Sequence, residues 1–283
     1  MMRIPYEIVG ATMGPLTETV EAEWLAAYAA ALQWKPGSPE PHPLFPVCYE
    51  WPALVAIRAK TIPDEISPRG VHATHDLIIH RLPRPGDRLW ITAKITRVEA
   101  RSPGAYVVTR LETVDREGAP VTTTENGTLY LGIGVTGAHP AGATRASDAD
   151  HTEREHPEGA TPPWEARVPI AGDLAHVYSE ASRIWNSIHT ERVAAVAAGL
   201  PDVILHGTAT LALAVSKILE HESEAPARVG RIACRFSGMV FMPSTLIVRG
   251  SCQGSHCSFE ALTEDGRSAV DRGILTFAAR ETR

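Results

Sequence analysis

The sequence has few cysteines, and their spacing excludes the usual cysteine-based metal and redox sites. The four cysteines are Cys48, Cys234, Cys252 and Cys257, and they form neither a zinc knuckle nor a C-x-x-C pair. We therefore predict small buried thiols in a reducing compartment. The sequence also lacks a carboxylate–histidine cluster, a G-x-G-x-x-G motif and a P-loop, so we expect no bound metal and no cofactor.

Long runs of one charge or of apolar residues are also missing, which excludes several classes of protein. The 283-residue chain has a net charge of −6 with acidic and basic residues well mixed, so a nucleic-acid partner is not expected. No apolar run approaches the ~20 residues of a membrane helix. The first ten residues, MMRIPYEIVG, lack the features of a signal peptide, and we predict a cytoplasmic protein without a membrane partner.

Residues 137–165 have a composition that separates the chain into two halves. Gly, Pro, Ala, Ser and charged residues dominate this stretch, and its apolar periodicity disappears. The sequence therefore predicts a linker at 137–165 between an N-terminal half, residues 1–136, and a C-terminal half, residues 166–283. A chain of this length can bury a substantial core without metals or disulfides.

The two halves contain similar strand-forming segments, which indicates a degenerate internal repeat. In the N-terminal half, LWITAKITRV (residues 89–98) follows a Pro-Gly turn, and its alternating apolar residues predict a strand with one buried face. Two further strands follow about a turn at residues 116–118. The C-terminal half repeats this order from FMPSTLIVRGSCQ, residues 241–253.

Each half also contains a helical stretch before its strands. TVEAEWLAAYAAALQ (residues 19–33) and GTATLALAVSKILEH (residues 207–221) are rich in apolar residues at helical spacing, which is typical of buried helices. A helix followed by consecutive antiparallel strands, twice, predicts an α+β fold. We expect a long helix wrapped by a curved antiparallel sheet in each half, with the two sheets forming one continuous surface.

The segment RIWNSIHTE, residues 183–191, places His189 at the predicted entry of a helix. An imidazole titrates near pH 6.5, so His189 is suited to general-base catalysis, and the helix dipole would keep it neutral. From the residues alone, a capping role at the turn is an equally good interpretation. Asn186 likewise either positions His189 or water, or forms an Asx-type turn. Further on, Gly207 and Thr208 begin a helix whose free N–H groups can hold a carbonyl oxygen or an oxyanion.

These residues resemble the MaoC-like family, which includes R-specific enoyl-CoA hydratases (hydratase 2), and the order of elements resembles its double hot-dog fold. VHATHDLIIHRLPRPGDRL is similar to the family's non-catalytic hot dog, and RFSGMVFMPSTL to a late strand-turn-strand of the catalytic one. The family motif is D-x-N-P-x-H followed by H-G. Here Asn186 and His189 stand on its Asn and His, and His206-Gly207 stand on its H-G.

Two positions depart from that motif. Ser187 replaces its Pro, and Ile184 stands where the family has its catalytic Asp. One histidine can still catalyse a syn elimination if the α-proton and the departing hydroxyl both lie within ~3 Å of one nitrogen. Otherwise Glu180, one helical turn before Ile184, is a candidate substitute acid.

The resemblance implies a homodimer that hydrates 2-enoyl thioesters or dehydrates 3-hydroxyacyl thioesters, carried by CoA or acyl carrier protein. It implies that His189 is the base, assisted by Asn186. It also implies that Gly207, Thr208 and His206 bind the substrate and that the helix start at Gly207 and Thr208 polarises the thioester carbonyl. Two other functions stay open: a non-catalytic acyl-thioester-binding protein, and a conjugate-addition or isomerase enzyme that uses the same site.

The N-terminal half has no counterpart of the WNSIH segment, so the resemblance implies one site per chain. This half would then accommodate the acyl group between the two halves, although ordinary core is the simpler explanation for each apolar residue in question. The candidates for apolar walls are Phe45, Val47, Trp51, Leu54 and Val55. His72 and His75, three residues apart beside a strand, are expected on opposite faces of it and make a poor metal pair.

Overall fold

A ten-stranded antiparallel sheet and two long helices form the core of the protein, as seen in a computed structural model that describes residues 2–34, 40–137 and 163–278. The strands are β1 (Arg3–Pro5), β2 (Thr12–Thr19), β3 (Gly70–Ile79), β4 (Arg88–Arg101), β5 (Gly104–Val114), β6 (Pro120–Leu131), β7 (Gly134–Thr136), β8 (Trp164–Ile170), β9 (Val229–Phe236), β10 (Ser244–Gln253), β11 (His256–Leu262) and β12 (Ser268–Phe277). The helices are α1 (Ala22–Ala31), α2 (Pro46–Thr61), α3 (Leu174–Ser182), α4 (Arg192–Ala197) and α5 (Gly207–Glu222). None of the helices in these three ranges is long and apolar enough to cross a membrane.

The large sheet is built from two five-stranded halves with the same connectivity. Its order is β2-β4-β5-β6-β3-β9-β12-β11-β10-β8, so each half places its first sheet strand at an outer edge and its second at the centre. β3 and β9 pair antiparallel there, with Leu77 opposite Ile232. The internal repeat and the continuous sheet are therefore confirmed.

Each half has one long helix, but in the N-terminal half it is not the one that the sequence indicates. α2 and α5 both have 16 residues, and both precede the central strand of their half. The helix predicted at 19–33 is the shorter α1, which packs against α3 of the other half. Trp24 on α1 donates its indole N–H to the carbonyl of Ala181 at the end of α3, at 3.0 Å.

The sequence of α2 lacks the uninterrupted apolar pattern that is typical of a core helix. Pro52 lies inside the helix, where proline removes one backbone hydrogen bond, and Glu50 interrupts the apolar pattern. Ile57 on the same helix is nevertheless fully buried. With α2 in place of the predicted helix, the α+β class with one long helix wrapped by an antiparallel sheet in each half is confirmed.

The prediction of four buried thiols is wrong at two positions. Cys252 on β10 and Cys257 on β11 lie opposite each other in register and form a disulfide. Residues at facing positions of two antiparallel strands lie close together, so a hairpin can bring two cysteines together even when their spacing matches no known cysteine motif. Cys48 and Cys234 are free and buried, as predicted.

Most of the predicted linker, residues 138–162, lies outside the described residues, and the linker itself stays a prediction. Trp164 and Glu165, which the sequence assigns to its end, belong to β8 and pair with β10. The sheet of the C-terminal half therefore includes these two residues.

Candidate active site

A cavity of about 330 Å³ lies between the two halves of the chain. The N-terminal half contributes one face of α2 and parts of β3 and β6 to its wall, and the C-terminal half contributes parts of the segments 184–189 and 204–210. Ligand sites commonly measure roughly 300–1,000 Å³, so this cavity is at the small end of the range.

Three of the five apolar residues proposed for the wall line this cavity. Val47, Trp51 and Leu54 lie at helical spacing on α2 and share one face of it. Phe45 is fully buried in the core instead. Val55 is directed away from the cavity and is 43% exposed. The cavity face of α2 therefore consists of positions 47, 51 and 54, together with the polar residues described below.

The segment that carries the motif leaves α3 by a sharp reversal. α3 ends at Ser182, and Arg183 adopts a left-handed conformation with φ of 58°. The Arg183 guanidinium lies over the Trp24 ring at 4.0 Å, which holds the reversal against α1. Ile184 then lines the cavity and is only 5% exposed. The position at which the resemblance implies an acid therefore belongs to the site but offers an apolar side chain.

His189 ends the short 3-10 turn Ser187–His189, and its ring lines the cavity. Its Nδ1 lies 2.8 Å from the carbonyl oxygen of Ile204, so Nδ1 carries the proton and donates a hydrogen bond to that oxygen. The neutral ring is left with a free lone pair on Nε2. Burial lowers the pKa of His189, while the hydrogen bond to Ile204 opposes the shift. Burial, rather than a helix dipole, is therefore the first reason that this ring is neutral at pH 7.

His206 stacks on His189 with ring centroids 3.7 Å apart. Its Nε2 lies 3.1 Å from the hydroxyl of Ser179 on α3, which holds the ring in place. Burial, and then the proximity of His189, lowers the pKa of His206 to about 2. His206 therefore stays neutral at working pH and supports the plane of the His189 ring.

Helix α5 begins at the cavity, where Gly207 and Thr208 both line the wall. The first N–H groups of a helix have no acceptor within the helix, and the helix dipole gives them partial positive charge. A Cβ at Gly207 would come within 3.1 Å of the Phe236 ring, so glycine lets the helix start close to that ring. The Tyr178 hydroxyl donates to the Thr208 hydroxyl at 3.0 Å. This helix start can hold an acyl oxygen.

The structure brings Asn186 to the cavity and leaves Glu180 outside it. Asn186 accepts a hydrogen bond from the backbone N–H of Ile188 at 3.4 Å, which is the Asx-type capping role. Glu180 is exposed on α3 and does not line the cavity. The helix ends at Ser182, so Glu180 and Ile184 do not share a helical face. The structure therefore does not support Glu180 as a substitute acid.

The carboxyl group that does reach the cavity comes from the other half of the chain. Glu50 on α2 is 3% exposed, and its Oε1 accepts hydrogen bonds from Thr122 at 3.0 Å and Thr124 at 2.9 Å. Burial raises the pKa of Glu50 to about 8, against the effect of these two hydroxyls, so the group is mostly protonated at pH 7. Among the described residues that line the cavity, Glu50 is the one carboxylic acid.

His72 and His75 both line the cavity, which corrects the prediction that they face opposite sides of β3. The pairing of β3 with β6 shifts register between His72 and Thr74, and such a bulge resets the alternation of side chains. The two rings are 5.5 Å apart. His75 is 2% exposed, and neither of its ring nitrogens has a hydrogen-bond partner in the described part of the chain. No group of three or more metal-ligating side chains occurs within residues 2–34, 40–137 and 163–278.

Arg58, about two turns after Glu50 on α2, also lines the cavity. Its Nη2 donates to Oδ1 of Asn126 at 3.1 Å and to the hydroxyl of Thr128 at 2.7 Å. Asn126 in turn donates from Nδ2 to Nε2 of His72 at 2.9 Å. The sequence analysis missed Glu50 and Arg58. Their signal was the spacing 50, 54, 58, which places these residues on one face of a helix.

The C-terminal half matches a known domain family. Residues 153–271 match the model described as MaoC like domain. Peroxisomal multifunctional enzyme type 2 of Drosophila melanogaster is 28% identical over 208 residues, which are 73% of this chain and 34% of that protein. Peroxisomal hydratase-dehydrogenase-epimerase of Saccharomyces cerevisiae is 25% identical over 186 residues, which are 64% of this chain and 20% of that protein. The matches thus span about a third or less of the length of these relatives.

Among solved structures, a MaoC-like dehydratase from Phytophthora capsici superposes with a TM-score of 0.78 at 20% identity, over 96% of this chain and 97% of that one. At this identity the likeness concerns the fold alone. The continuous sheet with one long helix in each half is the double hot-dog architecture. The chain therefore has the double hot-dog fold, and its residues 153–271 are similar to the MaoC like domain.

Proposed function

We propose that the protein is a hydratase or dehydratase of 2-enoyl or 3-hydroxyacyl thioesters. The observation that carries this proposal is the neutral His189 ring, whose unprotonated Nε2 belongs to the same cavity as the start of α5. A base and an oxyanion-binding helix start are what the addition of water to an enoyl thioester requires. The domain family and the yeast relative, which is named a hydratase-dehydrogenase-epimerase, support the same chemistry.

The proposed reaction needs a single proton-transfer group. In the hydration direction, Nε2 of His189 takes a proton from water as the water oxygen bonds to the β-carbon. The electron pair of the C=C bond moves toward the thioester carbonyl, and the N–H groups of Gly207 and Thr208 bind the enolate oxygen. The His189 imidazolium then returns its proton to the α-carbon, and the carbonyl re-forms. The addition is syn, and the reverse sequence eliminates water.

Replacing Ile184 with Asp is expected to accelerate the hydration of enoyl-CoA esters whose acyl chain ends in a methyl group. Ile184 lines the cavity, so a carboxyl group there adds a second proton-transfer group to the site. We expect kcat/KM to rise about tenfold, which is less than the roughly 10²–10⁴-fold of an evolved acid–base group, because nothing has been arranged to orient the new one. Steady-state kinetics on esters of four to six carbons measure the change.

Ile184→Asn is the matched control for this prediction, because it is close to Asp in size and polarity but transfers no proton. It should not accelerate the reaction. A rate in the Asp variant that equals or falls below wild type, or an equal gain in the Asn variant, would contradict the proposed role of this position.

The acid limb of the pH profile is expected below pH 6.5, the usual pKa of histidine. Burial lowers the pKa of His189, so the ring keeps its free lone pair until the pH falls through that lower value. kcat/KM should therefore stay level from neutral pH into mildly acidic solution and then fall about tenfold per pH unit. Rates measured from about pH 4.5 to 8 give the midpoint, and a midpoint at or above 6.5 would count against a buried base.

The apolar Ile184 also favours a second candidate function, a non-catalytic acyl-thioester-binding protein. Such a protein would use the cavity and the helix start without any acid–base group. Turnover of a panel of enoyl-CoA and 3-hydroxyacyl-CoA esters separates the two functions: turnover by wild type supports the enzyme, and tight binding without turnover supports the binding protein. The choice between CoA and acyl carrier protein, the homodimer and the cytoplasmic location stay predictions from the sequence.

A further inference from the structure

The part of the cavity wall that comes from the N-terminal half is polar where a fatty acyl chain would require apolar contacts. We call this part the polar wall; it consists of Glu50, Arg58, His72, His75, Thr124 and Asn126. A hydrocarbon chain packed there would keep water away from these groups without offering them hydrogen bonds, which is unfavourable. The polar wall therefore indicates a ligand with a polar group at this end.

Arg58 is a cation with an incomplete set of partners. Its Nη2 bonds to Asn126 and Thr128, both of which are neutral, whereas Nε and Nη1 have no acceptor among the residues that the structure describes. No carboxylate there forms an ion pair with Arg58, and burial lowers the pKa of its guanidinium. An arginine remains charged even so, and a charge in such a place is stabilised by an anion.

The other titratable groups of the polar wall do not supply that anion. Glu50 is mostly protonated at pH 7, so it can donate a hydrogen bond to an anion instead of repelling it. Burial lowers the pKa of His75 to about 4 and holds that of His72 well below its usual range, so both rings are neutral. The buried, unpartnered nitrogens of His75 are a second and independent sign of a missing polar ligand.

We propose that the acyl group bound in this cavity ends in a carboxylate and that Arg58 binds this carboxylate. The inference rests on the proposed function for the thioester end of the ligand. Nη2 is already engaged by Asn126 and Thr128, so Nε or Nη1 can give the carboxylate one charge-assisted hydrogen bond. The small cavity favours a short chain. The substrate class is therefore the thioester of a short dicarboxylic acid.

Matched pairs of saturated acyl-CoA esters test this inference by binding alone. Glutaryl-CoA and pentanoyl-CoA have chains of the same length and differ only in a terminal carboxylate or methyl group, and pairs with four and six carbons cover shorter and longer reach. Saturated esters are not substrates for hydration, so titration calorimetry reports recognition whether or not the protein is a hydratase. With wild type, we expect the carboxylate ester of at least one pair to bind about tenfold tighter or more.

Variants assign that preference to one side chain. Arg58→Met, which keeps the length of the side chain but removes its charge, should abolish the preference by weakening the carboxylate ester alone. Arg58→Lys should keep part of it, because the charge stays but the guanidinium nitrogen that Asn126 and Thr128 hold in place is lost. Arg84→Met is the control, since Arg84 is exposed outside the cavity and its replacement removes the same charge from the protein. If Arg58→Met does not fold, wild type and Arg58→Lys carry the test.

Three results would overturn the inference. The first is equal binding of both esters in all three pairs by wild type, and the second is an undiminished preference for the carboxylate ester in Arg58→Met or Arg58→Lys. The third is an equal loss of affinity for both esters of a pair in Arg58→Met, which would place Arg58 at the phosphates of CoA. The proposed function is tested separately. If wild type prefers the carboxylate esters but turns over no enoyl ester, the inference about Arg58 holds and the proposed hydratase function is wrong. If it turns over an enoyl ester without this preference, the hydratase function holds and the inference is wrong.

Discussion

Replacing His189 with alanine is expected to lower kcat/KM for an accepted enoyl thioester about 100-fold or more, which is the usual contribution of a general acid–base group. The reason is that Nε2 of His189 carries the proton in both steps of the proposed addition. The fold should survive, because the residue ends a short turn and is only partly buried. Steady-state kinetics on the wild type and the variant, with circular dichroism as the check on folding, measure the effect.

Two further variants distinguish the base from a positioning role. His189→Asn keeps an N–H that can donate to the Ile204 carbonyl but has no nitrogen that accepts a proton, so it should be as slow as the alanine variant. His256→Ala removes an exposed histidine outside the cavity and should leave the rate unchanged. Activity close to wild type in His189→Asn would show that His189 only holds the loop.

Replacing Ile57 with alanine is expected to cost about 2–5 kcal/mol in the free energy of unfolding, the usual cost of a large-to-small change in a core. Ile57 is fully buried on α2, the helix that the large sheet wraps in the N-terminal half. The change removes apolar contacts and leaves a cavity that the rigid sheet cannot close. Denaturant unfolding with an unchanged slope gives the free-energy difference.

The control for Ile57 lies two residues earlier on the same helix. Val55 is 43% exposed, so Val55→Ala should change the free energy of unfolding by no more than about 0.5 kcal/mol. Both substitutions place alanine in α2, so they change helix propensity in a similar way. The difference between their effects on the free energy of unfolding therefore reports the contribution of burial. A cost below about 1 kcal/mol for Ile57→Ala would contradict the assignment of α2 as the core helix.

The fold and the motif could be predicted because their signals are local. Alternating apolar residues such as those at 89–95 reveal strands with one buried face, and their recurrence in the second half reveals the repeat. α5 can be recognised in the sequence from its apolar residues at helical spacing. The WNSIH segment and the His206-Gly207 pair are close in sequence, so the sequence can indicate that they lie near each other on the C-terminal side of the cavity.

The polar residues on the N-terminal side of the cavity could not be predicted, because their signals depend on tertiary structure. α2 contains a proline, a buried acid and a half-buried arginine, and these residues obscure the apolar face that a sequence pattern detects. The shared orientation of His72 and His75 depends on a bulge between two residues of β3, and strand periodicity does not reveal a bulge. Glu50 and Arg58 become interpretable only when the helix is seen to face the motif of the other half.

The most direct test of the central claim, that this cavity adds water to enoyl thioesters, is mass spectrometry of the thioester after incubation in water labelled with heavy oxygen. Wild-type protein is mixed with enoyl-CoA esters of four to six carbons that end in a carboxylate or in a methyl group, and heat-denatured protein serves as the control. We expect wild type to incorporate one labelled oxygen into at least one ester, as a 3-hydroxyacyl product, and the control to incorporate none. Tight binding of these esters without incorporation of label into any of them would contradict the proposed hydratase function and favour a non-catalytic thioester-binding protein.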